Sequence, residues 1–378
     1  MKIYYIVNAR MPTDKAHGIQ VAKMCEAFIE AGVDVTLVFP RRFGIEESMR
    51  EHYDLRVDIP VVRLPAFDWG MGGPFYYRLS ALTFVCSYLW FFYTAIDRKN
   101  AVVYTVDLDH ITCVGLPFLG LPYFSEMHGG KPRSLFYRLF FKRMRGIIAT
   151  TTITRDELVR KFHLLPERVL FEPNGVDFAH LSSLSRESAR RELGLPIEKP
   201  LALYVGRALS WKGIAILPEA AALISDITLG FLGGTEEEFK AAFGVPGAPV
   251  VFYGSKPHNK VGTWLAAADV CLVIGTRHDE YSYRYTSPMK VYEYLASGRP
   301  IIASSTPALH DVLGEDECYF CEPDDAGSLA KAIAAAVADP VRSEHIAEKG
   351  IARAREHTWQ KRAERTKTFI EQLTLHSK

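Results

Sequence analysis

The segment YVGRALSWKG (204–213) sets a glycine, an arginine and a lysine within one short loop. Gly206 turns the chain after an apolar run, Arg207 follows, and Lys212 and Gly213 open the next helix in this reading. Arginine can grip two phosphate oxygens at once, and lysine acts as a compact point charge. Two cations and a helix N-terminus at one strand end suit a diphosphate. Each charge-assisted bond there is worth roughly 1.5–3 kcal/mol. The spacing is not that of a Walker loop, which needs GxxxxGK followed by Ser or Thr.

A second cluster lies in YTSPMKVYEYLASG (285–298). Ser287 is expected to cap a helix whose first position is Pro288 and whose stop is Gly298. The free N–H groups of Met289, Lys290 and Val291 then form a second anion site. Glu293 shares a face with Met289 and leans toward the helix start. A carboxylate repels phosphate, so Glu293 is expected to accept hydrogen bonds from vicinal hydroxyls of the adjoining sugar. The ribose-binding acid of dinucleotide folds follows the same logic.

The first half offers EMHGGKPRS (126–134), where His128 beside Gly129 and Gly130 gives an exposed imidazole on a permissive backbone. Glu126 is read as pointing to the opposite face of its strand. Asp107 and Asp109 form a DxD-like triplet, but away from the phosphate loop, and no metal is expected. Cys318 and Cys321 form a CxxC with neither a second pair nor a nearby His, so no zinc site is expected either.

These residues need strands to end beside them. Apolar runs at 1–7, 33–40, 101–106, 122–127, 146–151 and 169–173 read as strands of a first half, with a helix over 19–32 completing a βαβ unit. The turn NGVD (174–177) and a polar stretch up to Pro200 read as a linker. The pattern restarts at 201–207, with further strands at 228–234, 250–254, 270–275 and 300–305 and helices between them. The fold class is therefore α/β: two Rossmann-like doubly wound domains, at 1–180 and 195–359, followed by a tail that reads as one or two helices. Such sheets bind ligands beyond the carboxyl ends of their strands, and two of them facing each other enclose a central cleft.

Bulk properties narrow the function. The chain has 378 residues, 48% hydrophobic and 24% charged, with a formal net charge of +1. That is globular, and it gives no electrostatic case for nucleic acid. Six cysteines, mostly in apolar runs, suggest reduced thiols and a cytoplasmic setting. The N-terminal apolar run is too short for a signal peptide. The run Leu79 to Ile96 is interrupted by Ser, Thr and Tyr and is read as a buried helix. The stretch 131–145, KPRSLFYRLFFKRMR, reads as a basic amphipathic helix. It either lies on an anionic membrane or packs into the first domain.

GRALSWKG, SPMKVYEYLASGRPIIAS and EPNGVD resemble glycosyltransferase family 4 of the GT-B fold, and the resemblance spans nearly the whole chain. It implies a metal-independent, retaining transfer of sugar from a UDP- or GDP-linked donor to a glycan or lipid-linked acceptor, in polysaccharide or glycolipid assembly, with no cofactor. It assigns Arg207 and Lys212 to the donor diphosphate and Glu293 to the nucleotide ribose. Tyr253, Gly254 and Ser255, followed by Lys256, would line the base pocket. Gly18 would approach the donor phosphate, His17 would face the acceptor, and His128 would orient the donor sugar. The family often has a second Glu eight residues before the ribose Glu, where this chain has Tyr285; Asp279 or Glu280 could supply an acid instead. Trp359 would mark the return to the first domain, on which a terminal helix over 360–378 would pack back. The leaving diphosphate would take the acceptor proton while Arg207 and Lys212 stabilise its charge. The alternatives are a nucleotide-sugar epimerase on the same architecture, or an inactive module that binds nucleotide sugar or a partner.

Overall fold

The structure, a computed structural model, describes residues 1–42, 48–68, 73–181 and 183–375. The chain divides into two units, Met1–Pro173 with Trp359–Lys378, and Asn174–Thr358.

The first unit holds strands β1 (Lys2–Ile6), β2 (Asp34–Pro40), β3 (Val61–Leu64), β4 (Ala101–Val106), β5 (Tyr123–Met127), β6 (Gly146–Ala149) and β7 (Val169–Phe171). They form one parallel sheet in the order β3-β2-β1-β4-β5-β6-β7. Around it lie helices α1 (Ala16–Glu30), α2 (Met49–Tyr53), α3 (Pro74–Thr94), α4 (His110–Val114), α5 (Leu135–Arg143) and α6 (Thr152–Phe162). A parallel sheet covered on both faces demands continuous apolar strands, and all six residues of β4 are buried. The order reverses at β1 and β4, so the crevice of this sheet lies beyond their carboxyl ends.

The second unit holds α7 (Arg186–Leu193), β8 (Leu201–Val205), α8 (Leu217–Leu223), β9 (Thr228–Leu232), α9 (Glu236–Phe243), β10 (Val251–Phe252), α10 (His258–Ala267) and β11 (Val270–Val273). It continues through α11 (Met289–Ala296), β12 (Ile301–Ser304), α12 (Pro307–His310), β13 (Tyr319–Cys321), α13 (Ala326–Ala338) and α14 (Pro340–Glu356). Its parallel sheet runs β10-β9-β8-β11-β12-β13 and reverses at β8 and β11. The chain then returns to the first unit as α15 (Trp359–Leu375).

Several sequence expectations change here. The edge strands β3 and β13 were not anticipated, because runs of four and three residues carry almost no pattern. The polar stretch read as a linker contains α7, which belongs to the second unit. Its Arg190 is fully buried and donates to the carbonyls of Ala267, Pro196, Ile197 and Lys199 and to the Asp269 carboxylate. Apolar periodicity could not reveal a helix anchored by a guanidinium. The run Leu79–Ile96 lies largely within α3, of which only one side is buried: Ala81, Phe84, Val85, Tyr88 and Phe92 face the core, whereas Leu82, Trp90 and Tyr93 are exposed.

Candidate active site

The carboxyl edge of the second sheet is built from glycine contacts. Gly206 follows β8 with φ +145°, and its N–H donates to Leu232 O at the end of β9. A Cβ on Gly233 would sit 2.8 Å from Gly206 O, and Gly233 N–H donates to Gly254 O after β10 at 2.9 Å. A Cβ on Gly213 would lie 2.9 Å from Gly275 O, beyond β11. Side chains are thus excluded along this edge.

Arg207 is exposed, and Lys212 donates to Arg207 O at 3.3 Å. The expected helix does not start at Lys212. Two 3₁₀ turns, Ser210–Lys212 and Ile214–Ile216, intervene, and α8 begins only at Leu217 because Pro218 favours the first helical turn. The phosphate loop therefore has its two cations but no α-helix N-terminus of its own. Burial, and then the neighbouring Arg207 charge, push the Lys212 amine down to about 8.

A third cation joins them. Lys290 reaches back from α11 toward Val205 O at 3.5 Å and lies over the Tyr204 ring, 4.1 Å from its centroid. Burial and then Lys212 hold its pKa well below the usual lysine value, although Glu293 opposes them. Tyr294 anchors this arrangement, since its buried hydroxyl accepts the Val205 N–H at 3.0 Å. Sequence reading missed Tyr294 and Tyr204; both are apolar-run residues whose hydroxyls gain meaning only once β8 and α11 meet.

The start of α11 also differs from expectation. Pro288, not Ser287, occupies the cap position, with no side-chain cap bond. Ser287 instead lies one residue outside, its Oγ buried without a hydrogen-bond partner. Asn174, of the NGVD turn, donates its side-chain N–H to Ser287 O at 2.7 Å, which holds the loop in that conformation. The N–H of Val291 is not free either, because it bonds Pro288 O at 3.1 Å. Met289 and Lys290 supply the open N–H groups of this turn.

Glu293 accepts from His258 Nε2 at 2.9 Å, at the first turn of α10, and its side chain is 20% exposed. His258 had no sequence signal. Tyr253 packs at a tilt against Trp264 of the same α10, with centroids 4.5 Å apart, and Gly254 (φ +70°) and exposed Ser255 follow. Arg207, Lys212, Lys290 and Glu293 are thus electrostatic neighbours, and α10 carries both His258 against Glu293 and Trp264 against Tyr253. Tyr285 is buried at the end of a π-turn, Tyr281–Tyr285, beneath the Arg284 guanidinium.

In the first unit, His17 and Gly18 lie in the first turn of α1. Gly18 has a packing reason to be glycine, since a Cβ would collide with the Tyr53 hydroxyl and with Thr13. Gln20, one turn on, lies 3.3 Å from His128 Nε2. His128 Nε2 also lies 2.9 Å from Glu126 Oε1. The expectation that Glu126 faces away from His128 is corrected: residues two apart on an extended chain share a face. Glu126 is fully buried, accepts from the Tyr104 hydroxyl at 3.1 Å and pairs with Arg362 of α15 at 2.9 Å. Burial alone would raise its pKa, but Arg362 and His128 outweigh it and hold the carboxyl at about 2.

The acids considered for metal binding are otherwise engaged. Asp107 pairs with Lys131, and Asp109 caps α4 at Thr112 N. Cys318 and Cys321 are buried free thiols whose pKa burial raises. Among the described residues no cluster of His, Cys, Asp and Glu assembles a metal site.

Comparison with known proteins identifies the family. The Glycosyltransferase Family 4 profile matches residues 18–180, and the profile for glycosyl transferases group 1 matches residues 199–339.

The chain belongs to glycosyltransferase family 4.

A relative from Bacillus subtilis, the teichuronic acid biosynthesis glycosyltransferase TuaC, is 24% identical, with 88% of each chain covered. Among solved structures, a sucrose-phosphate synthase from Thermosynechococcus elongatus superposes with a TM-score of 0.79 at 21% identity, over 100% of both chains. HepE of Anabaena, solved in complex with UDP-glucose, gives 0.70 at 16% identity over 99% of both. These likenesses establish the GT-B fold for this family 4 glycosyltransferase.

Proposed function

We propose that this glycosyltransferase takes its sugar from a nucleotide diphosphate donor, UDP- or GDP-linked, held at the carboxyl edge of the second sheet. One observation carries the reading. Arg207, Lys212 and Lys290 converge there without a carboxylate in ion-pair range among the described residues, and burial depresses both lysines. Such a cluster is costly until an anion enters it. The open N–H groups of Met289 and Lys290 and the unpartnered Ser287 hydroxyl add neutral donors for phosphate oxygens. Glu293 and His258 take the ribose hydroxyls, and Tyr253, Gly254 and Ser255 border the base.

The transfer proceeds with retention in this proposal. The departing diphosphate accepts the acceptor's proton, and Arg207 and Lys212 stabilise its developing charge. His128, held by Glu126 and Gln20, orients the donor sugar, and His17 faces the acceptor, a glycan or lipid-linked sugar met at the inner face of a membrane. The HepE complex with UDP-glucose supports trying UDP first.

Thermal-shift titration with UDP, GDP and ADP tests the donor site. A ligand at 100 times its dissociation constant adds about 2.7 kcal/mol. A shift with UDP or GDP that disappears in Arg207→Ala and Glu293→Ala is the expected result. No shift with any nucleotide overturns the assignment.

A further inference from the structure

We infer that α3, the Leu116–Phe118 turn after α4, and α5 form one face that seats this protein on an anionic lipid surface. The basic helix α5 alone offers little apolar area, and the larger part of the face lies on α3.

Phe75, Leu82, Trp90 and Tyr93 recur at helical spacing along the outer side of α3, and all four are more than half exposed. The stripe runs nearly the whole helix. Core packing does not account for it, because the opposite side of α3 already supplies Phe84, Tyr88 and Phe92 to the core. Of the sixteen large hydrophobic side chains exposed among the described residues, nine fall on α3, α4, the Leu116–Phe118 turn and α5, so the exposure is concentrated rather than scattered.

These elements form one continuous surface. The Tyr93 hydroxyl donates to Phe118 O. The Phe118 ring, itself exposed, lies 5.9 Å from the Arg143 guanidinium of α5, and Arg143 also donates to Pro117 O at 3.4 Å. On α5, Leu135 and Leu139 are exposed one turn apart while Tyr137, Phe140 and Phe141 are buried.

Charge selects the occupant. Residues 74–96 contain no Asp or Glu, and residues 110–145 contain only Glu126, which is fully buried. Arg78, Arg138, Lys142, Arg143 and Arg145 are exposed on or beside the apolar stripe. Asp97, just after α3, and Asp109, which caps α4, are the carboxylates nearest these elements in the chain; exposed aromatics and leucines flanked by this excess of cations fit an interface of acyl chains beneath anionic headgroups. No helix among the described residues is long and apolar enough to cross a membrane, so the face lies on the lipid rather than within it. This inference deepens the membrane side of the proposed function and is independent of the donor assignment.

Vesicle flotation tests it, using the full chain with phosphatidylcholine vesicles and with vesicles containing one-third phosphatidylglycerol. Wild type is expected to float with the anionic vesicles and far less with the neutral ones. Leu82→Ser/Trp90→Ser and Arg138→Glu/Lys142→Glu should each reduce flotation at least tenfold. Their UDP or GDP thermal shift should stay as in wild type, which shows them folded and keeps a failure of the donor reading visible separately. No flotation of wild type overturns the proposal, as does undiminished flotation of both double variants. Concentration-dependent dimerisation abolished by Leu82→Ser/Trp90→Ser, without vesicle binding, assigns the face to a second copy and also overturns it.

Discussion

Arg362 of α15 and Glu126 of β5 form an ion pair at 2.9 Å, and both side chains are fully buried. The same guanidinium donates Nε–H to Pro173 O at 2.6 Å, and the same carboxylate lies 2.9 Å from His128. The last helix of the chain therefore supplies the counter-ion for the group that orients His128. Arg362→Leu strips the buried carboxylate of its guanidinium and is expected to destabilise the protein by about 3–5 kcal/mol. Urea denaturation measures that loss directly, and an unchanged midpoint would refute it.

The pair also predicts an acid limb. Glu126 titrates at about 2 in the folded protein, below its ordinary value near 4.3. Its contribution to stability is complete above that ordinary value and is lost as pH falls toward 2. Melting temperature should be level from pH 7 to 5 and decline below about 4.5. Arg362→Leu should flatten the part of that decline due to Glu126.

Lys212 predicts a pH dependence of donor binding. Its amine titrates at about 8 without ligand, and a bound diphosphate favours the charged form. For this amine, affinity for UDP or GDP should fall as pH rises through 8, by up to about tenfold per pH unit, until the pKa of the complex is reached. Calorimetry at pH 7, 8 and 9 reads both the affinity and the proton taken up. Lys212→Met should bind weakly and lose the part of the fall that begins near pH 8.

Glu293 makes a prediction about the sugar of the nucleotide. A carboxylate that accepts from ribose hydroxyls should discriminate the nucleoside diphosphate from its 2′-deoxy form by roughly ten- to hundredfold, the worth of one charge-assisted hydrogen bond. Glu293→Ala should abolish the discrimination. Equal affinities in wild type would remove Glu293 from the ribose.

Gly233 tests the glycine edge. At φ +118°, with Gly206 O 2.8 Å from an added Cβ, Gly233→Ala has neither the backbone conformation nor the space it needs. It is expected to cost at least 1–3 kcal/mol, about the price of one strained backbone residue. Donor affinity should fall with it, because Gly206 and the loop to Arg207 must shift. A variant with wild-type melting temperature and affinity would contradict the geometry.

His128→Ala separates orientation from binding. Transfer should drop by about a hundredfold, the scale of a misplaced reacting group, while UDP or GDP affinity stays near wild type. Gln20→Ala should produce a smaller loss of the same kind.

The sequence by itself determined the two-sheet α/β design, most of the strands, and the loops that carry Arg207, Lys212, Glu293 and His128. Parallel strands covered on both faces must be apolar runs, and their ligand-binding loops must be polar and glycine-rich, so the contrast is written along the chain. Only the tertiary structure decided which groups meet. Glu126 and Arg362 lie far apart in the chain, as do Lys290 and Val205, and no local pattern encodes such encounters. It also moved the start of α8 to Leu217 and placed Pro288 at the cap of α11, because helix ends are set by backbone competition that residue types alone leave undecided. The exposed stripe of α3 was hidden for a related reason. A helix that is apolar on every side looks buried in sequence, and only its packing reveals the side that the core leaves uncovered.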